Sequence, residues 1–249
     1  MNDEQNRYCY NQYKADLYSA AWKHDFQRVE FLINSGGDIN GLDMHQYTLL
    51  HHAVIKNFEK VVEFLLNLGA NHNIRNIDNN TPLHLAVELN RKDILEILLK
   101  HGVDPNLQSG GQYITPLFKV ISQKFNTSTI DLLLKYKADP NLQNYMGETP
   151  IHIAISGNSD HKKVVGLLIT YGANVNLQTY NGESPLHYEI QCNCNIEVIE
   201  LLLDAGAIYN IKTKNGKTPL DYAIKLKRDP EVIDLFVKHE AEQLWYSAE

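Results

Sequence analysis

Variants of the segment Thr-Pro-Leu-His-Leu-Ala-Val return along this chain at intervals of 33 to 35 residues, and no other property restricts its fold so strongly. They read ADLYSAA from Ala15, TLLHHAV from Thr48, TPLHLAV from Thr81, TPLFKVI from Thr115, TPIHIAI from Thr149, SPLHYEI from Ser184 and TPLDYAI from Thr218. A period near 33 residues signifies a stacked array in which each copy buries its apolar face against its neighbours. The cleanest copy, Thr81 to Asn106, shows how one unit folds. Thr81 can cap a helix and Pro82 occupies its first position, where a missing N–H costs nothing. Leu83, Leu85, Ala86 and Leu89 give that helix one apolar face, and Ile94, Leu95, Ile97, Leu98 and Leu99 predict a second helix after the polar turn Asn90 to Asp93. Gly102 ends it in the left-handed conformation. Neither helix is long enough to be stable alone.

Bulk properties narrow the function classes. Charged residues make up 21% and apolar residues 43% of the 249, as in a folded soluble protein. A net charge of −7 argues against a general nucleic-acid binder. No apolar run approaches the roughly 18 residues of a membrane span, and the first residues lack a signal-peptide core. Cys9, Cys192 and Cys194 are too few for a disulfide framework, which favours a reducing compartment. The expectation is a cytoplasmic protein, or one acting in a host cytoplasm if exported.

Each copy before the last closes on an asparagine: Asn40, Asn73, Asn106, Asn141, Asn176 and Asn210. With TPLHxA, the paired leucines and the GA or GAD turn, these residues make the chain resemble the ankyrin-repeat family over about residues 15 to 240. The resemblance implies an all-α solenoid of helix–turn–helix units joined by hairpin-like fingers projecting from one edge. The segments Asn76 to Asn80, Asn144 to Glu148 and Lys214 to Lys217 are rich in Asn and Gly, as turns require. The implied organisation is a lead-in at 1–14, a single repeat domain at 15–240 with about seven copies, and a helical extension or tail at 241–249. No glycine stops the last helix at Glu240. It either runs on to fold Leu244, Trp245 and Tyr246 over the open end or frays.

Departures from the repeat are the candidate sites. His51, His84, His152 and His187 recur once per copy; stacked helices lie about 8–10 Å apart, too far for two of them to share a zinc ion. The resemblance assigns them to hydrogen bonds between adjacent fingers. Cys192-x-Cys194 with His187 is one donor short of a zinc site, so no metal or cofactor is expected. The finger from Asn106 to Thr115 spans 9 positions where others span 8, and with Gly110, Gly111 and Tyr113 it is either a deformed turn or a contact loop. Lys137 stands where other copies have glycine. Glu189 takes the small position held elsewhere by Ala86, Ala154 and Ala223, and must find a partner such as Tyr188 or Tyr222, or swing outward. No second acid, base or nucleophile converges on it, so no catalytic role is expected.

In a solenoid, function sits on the extended concave face, which in ankyrin-like stacks comprises the finger tips and the exposed positions of the first helices. Those positions carry Trp22, Tyr47, Ile77, Asp78, Glu88, Tyr113, Tyr145, Met146, Glu148, Tyr180 and Glu183, the expected partner-binding residues. Aromatic and apolar anchors there have the composition of interface hot spots. Acidic groups dominate the central and later copies, and basic ones, Lys214, Lys217 and Lys225, the last. The function expected is a non-enzymatic module, monomeric, holding a protein partner as adaptor, inhibitor or localisation factor. Asparagine richness and uneven repeat lengths resemble ankyrin proteins of intracellular bacteria or large viruses, so an exported effector is included. The alternative is the substrate-recognition part of an enzyme or a ubiquitin-ligase adaptor whose remaining segment is absent from the chain. A third reading is self-association through Trp245.

Overall fold

The computed structural model describes residues 3–109, 114–123, 127–157 and 161–246, with side chains described between 13 and 239 of these. It divides into two compact units, Met1–Gly111 and Gln112–Glu249. The described residues form helices and no strand.

The first unit contains three helix pairs: α1 (Asp3–Trp22) with α2 (Phe26–Asn34), α3 (Leu49–Ile55) with α4 (Glu59–Asn67), and α5 (Pro82–Glu88) with α6 (Lys92–Lys100). Within it α3 packs on α5 and α4 on α6, first helix to first helix and second to second. The helix α1 starts at Asp3, well before the repeat motif at Ala15. The second unit contains four pairs: α7 (Pro116–Ser122) with α8 (Thr127–Lys135), α9 (Pro150–Ser156) with α10 (His161–Thr170), α11 (Pro185–Cys192) with α12 (Ile196–Asp204), and α13 (Pro219–Lys225) with α14 (Pro230–Tyr246). Here α9 packs against α7 and α11, α11 against α13, and α10 against α8 and α12. The last helix continues past Glu240 to Tyr246; the side chains of Leu244, Trp245 and Tyr246 lie outside the described residues.

Sequence explains the shortness and the stability of these pairs. From the second copy on, the first helices have only seven or eight residues, less than an isolated helix needs. Five of these six are held at the start by a reciprocal cap, α7 by Thr115 alone because Phe118 stands in the histidine's place, and all are held along one face by burial. Thr81 caps α5 and His84 returns its Nδ1 to the Thr81 hydroxyl at 2.8 Å, while Leu83, Leu85, Ala86 and Val87 are buried. The second helices bury pairs such as Val61, Val62, Leu65 and Leu66 in α4. The left-handed residue after each second helix is glycine at Gly69, Gly102, Gly172 and Gly206, but Lys137 adopts it too, with φ +67°. A side chain there costs about 1 kcal/mol.

The recurring closing asparagines act as rungs. Asn40 Oδ1 accepts the Asn71 N–H at 2.8 Å in the first unit. In the second, Asn141 Oδ1 accepts from Asn174 N at 2.6 Å and Asn176 Oδ1 from Ile208 N at 2.7 Å. Each of these three therefore ties one copy to the next.

Candidate functional site

The fingers are tight turns closed by their own first residue. In the first unit, Asp43 Oδ1 accepts from His45 N at 2.8 Å and Tyr47 N at 2.9 Å, and Asn76 Oδ1 accepts from Asp78 N at 3.1 Å and Asn80 N at 2.8 Å. In the second, Asn144 Oδ1 takes Met146 N and Glu148 N at 2.9 and 3.0 Å, and Thr179 Oγ1 takes Asn181 N and Glu183 N at 3.3 and 3.2 Å. A short polar side chain that bonds its own backbone two and four residues on sets the turn without a long loop.

Neighbouring fingers are then joined tip to tip. Ile77 N donates to His45 O at 3.2 Å in the first unit, and Tyr180 N to Met146 O and Lys214 N to Asn181 O at 3.0 Å in the second. Gly147 and Gly182 allow this approach. Both have positive φ, and a Cβ on either would stand 2.6 Å from the backbone nitrogen of the next finger, Tyr180 or Lys214. Gln143 adds a side-chain bridge, its Nε2 donating to Gly147 O at 2.7 Å and Gln178 O at 3.0 Å; Gln178 repeats it toward Lys212 O at 3.0 Å.

The histidines are structural. His51 Nε2 meets Asn80 O at 3.2 Å, His152 meets Glu183 O at 3.2 Å and His187 meets Lys217 O at 3.1 Å, each carbonyl being the last of the following finger. His84 meets Leu107 O at 2.8 Å instead, at the start of the finger that carries the extra residue. Their other nitrogen closes the cap, so both are engaged. Burial holds His51 and His152 at a pKa of about 4, so each is a neutral imidazole in the folded protein. In the last copy Asp221 replaces histidine, and its carboxylate accepts from Thr218 N at 2.9 Å and Thr218 Oγ1 at 3.1 Å. Thr218 Oγ1 in turn accepts from Asp221 N at 3.1 Å, so the cap stays reciprocal.

The candidate partner-binding residues fall into different settings. Ile77 and Asp78 stand on an exposed tip, Ile77 being 60% exposed, and Tyr47 at the base of the preceding finger places its hydroxyl 3.4 Å from Asp78. Glu88 is exposed at the end of α5, its Oε2 3.5 Å from Asn80 Nδ2. Trp22 is half-buried at the end of α1, edge-on to Tyr18 and Phe58 with the Lys56 ammonium 5.5 Å from its ring. It belongs to an aromatic cluster rather than to the finger row. Tyr113 lies outside the described residues. In the second unit the structure brings Tyr145, Met146 and Tyr180 together on adjacent tips, exposed by 48%, 48% and 59%.

Two residues that hold this face are named by the sequence only as possible partners of Glu189. Tyr188 Oη donates to Glu148 Oε1 at 2.8 Å and Tyr222 Oη to Glu183 Oε1 at 3.0 Å, each reaching from a first helix past its own finger to the one before it. They do not serve Glu189, contrary to the expectation from sequence. That carboxylate, fully buried on α11, accepts from Asn195 N at 2.8 Å through Oε1 and lies 3.5 Å from His161 Nε2 through Oε2. The signal for the tyrosines is a spacing of 40 and 39 residues between donor and acceptor, one repeat and a helical turn. Both hydroxyls are kept protonated, first by burial and then by the carboxylate they face.

Comparison with known proteins bears on the whole array. A model of ankyrin repeats in three copies matches residues 17–109, 108–179 and 159–244. The chain belongs to the ankyrin-repeat family. The ankyrin repeat domain of Bcl-3, a member of the IkappaB protein family, is 28% identical with a TM-score of 0.76, over 90% of this chain and 97% of that one. An ankyrin repeat domain from Acinetobacter baumannii is 27% identical with a TM-score of 0.68, over 77% and 98%. The human ASB11 ankyrin repeat domain, 23% identical with a TM-score of 0.62 over 90% and 96%, shares the fold. No curated protein matches the sequence. Ankyrin repeat domains are in general protein–protein interaction modules, and are typically non-enzymatic.

Proposed function

We propose that this ankyrin-repeat protein holds a partner protein on its finger tips and first-helix faces, as an adaptor, inhibitor or localisation factor rather than as an enzyme. The observation that carries the reading is the joined row of Tyr145, Met146 and Tyr180. Large apolar side chains on adjacent fingers are exposed while the backbone beneath them is fixed by hydrogen bonds between tips. Rigid aromatic anchors lose little conformational entropy on binding, which is why they dominate interface energetics. The free thiols Cys192 and Cys194 and the absence of any long apolar helix among the described residues agree with action in the cytoplasm of the producing cell or, for an exported protein, of a host.

The double substitution Tyr145→Ala with Tyr180→Ala tests the face. Partners captured by the parent protein from a cell extract and identified by mass spectrometry should be lost or reduced at least tenfold with the variant, while its helical circular dichroism is unchanged. Undiminished capture by a folded double variant would place binding elsewhere.

A further inference from the structure

The tip row of the second unit has a charge as well as an apolar surface, and together they select an occupant. Glu148 and Glu183 occupy the same position in successive fingers, two residues after Met146 and three after Tyr180. Each carboxylate is held in place by a neighbour's phenol, Tyr188 or Tyr222, and Glu148 also by Asn144 Nδ2 at 2.8 Å. These are neutral donors. Among the described residues no ion pair engages either carboxylate, whereas Glu96, Asp131 and Glu197 elsewhere each have a lysine. Both remain partly accessible. The protein thus orients two negative charges beside three exposed apolar side chains and leaves both charges uncompensated. Oriented carboxylates whose lone pairs are incompletely used make strong, short hydrogen bonds to guanidinium or ammonium groups.

We infer that the second unit binds a segment of a partner protein in which two basic side chains flank an apolar one: the basic groups meet Glu148 and Glu183, and the apolar group packs on Tyr145, Met146 and Tyr180. Equivalent positions in adjacent repeats lie about 8–10 Å apart, a distance an extended chain covers in about three residues. The basic residues of the segment are therefore two to four apart. Acidic segments are rejected by the same two charges, and a purely apolar one leaves them unpaired at the interface, which disfavours it. The inference rests on the tip row being the binding face and adds the chemistry of what binds there.

Selection of a displayed library of random twelve-residue peptides on the immobilised full chain tests it. The expected result is enrichment of peptides carrying Arg or Lys pairs at spacings of two to four around an apolar residue. Their affinity should fall at least tenfold in the Glu148→Gln, Glu183→Gln double variant and weaken as salt is raised. Glutamine keeps the acceptor oxygen for Tyr188 and Tyr222, so this variant should stay folded, which circular dichroism and its melting temperature check. Failure to enrich basic pairs, or equal affinity in parent and double variant, overturns the inference. If neutral peptides are enriched and still lost with Tyr145→Ala and Tyr180→Ala, the face stands and only the basic occupant fails. If the tyrosine variant leaves every selected peptide bound, the face itself fails.

Discussion

Glu189 illustrates how one inserted residue changes the demands on its neighbours. In copies with the shorter turn between helices, the residue entering the second helix donates to the carbonyl of the small first-helix residue: Phe58 N to Ala53 O at 3.0 Å and Arg91 N to Ala86 O at 2.7 Å. In the Glu189 copy the longer turn puts Cys194 N on that carbonyl at 2.6 Å, and the next amide, Asn195 N, is met by the Glu189 carboxylate. Burial pushes the pKa of this carboxyl up, opposed by the Asn195 amide and His161. Glu189→Ala leaves the half-buried Asn195 amide without its acceptor and should lower unfolding free energy by about 1–3 kcal/mol. Glu189→Gln keeps the oxygen and should lose less than about 1 kcal/mol. Chemical denaturation of both variants decides this, and equal losses would show that the charge facing His161, not the Asn195 amide, matters. The anomaly itself was legible in the sequence because alanine marks the position in other copies. Its partner was not, because an amide freed by an insertion has no side-chain signature.

At the scale of the element, the finger owes its form to a few residues whose roles the repeat pattern hides. The Thr or Ser, Pro and His that open most of the first helices were readable, since capping chemistry is local and recurs. The bonds between fingers were not: a glycine in a turn motif signals positive φ, whereas close approach of a second backbone depends on what is stacked beside it. Gly182 and Gly216 separate these two causes. Both have positive φ, but a Cβ at Gly182 would meet Lys214 N at 2.6 Å while one at Gly216 meets nothing within 4 Å. Gly216→Ala should therefore cost only the left-handed backbone strain, about 1 kcal/mol. Gly182→Ala must in addition push apart a pair of hydrogen-bonded fingers and should cost about 3 kcal/mol. Thermal or urea unfolding of both variants reads the difference. Similar losses in both would mean that the tips are not held together in solution. The tyrosine clamps belong to the same class of hidden feature, since Tyr188 and Tyr222 look like ordinary surface residues until the finger before their own is placed beside them.

At the scale of the whole molecule, the repeated buried histidines make stability depend on acidity. His51 in the first unit and His152 in the second have pKa values of about 4, depressed by burial, and that of His187 is lowered for the same reason. An unfolded histidine titrates near 6.5. Between those values the unfolded chain binds more protons than the folded one, so the stability these side chains contribute is complete above about pH 6.5 and is lost as pH falls toward 4. Near pH 5.5 His51 and His152 should each add a slope of about 1.4 kcal/mol per pH unit. Glu189 works in the opposite sense, because a carboxyl whose folded pKa is raised favours the folded state as pH falls. One such group cannot cancel several histidines spread over both units. Asp43 and Asp221, whose pKa values are lowered, lose their contributions only at lower pH, as the solution becomes acidic enough to protonate free carboxylates. Urea unfolding at pH 7.5, 6.5 and 5.5 should therefore give little change over the first step and a fall of about 1 kcal/mol or more over the second. A flat profile down to pH 5 would mean that these imidazoles are already solvated and protonated, and the capping network between fingers would have to be redrawn.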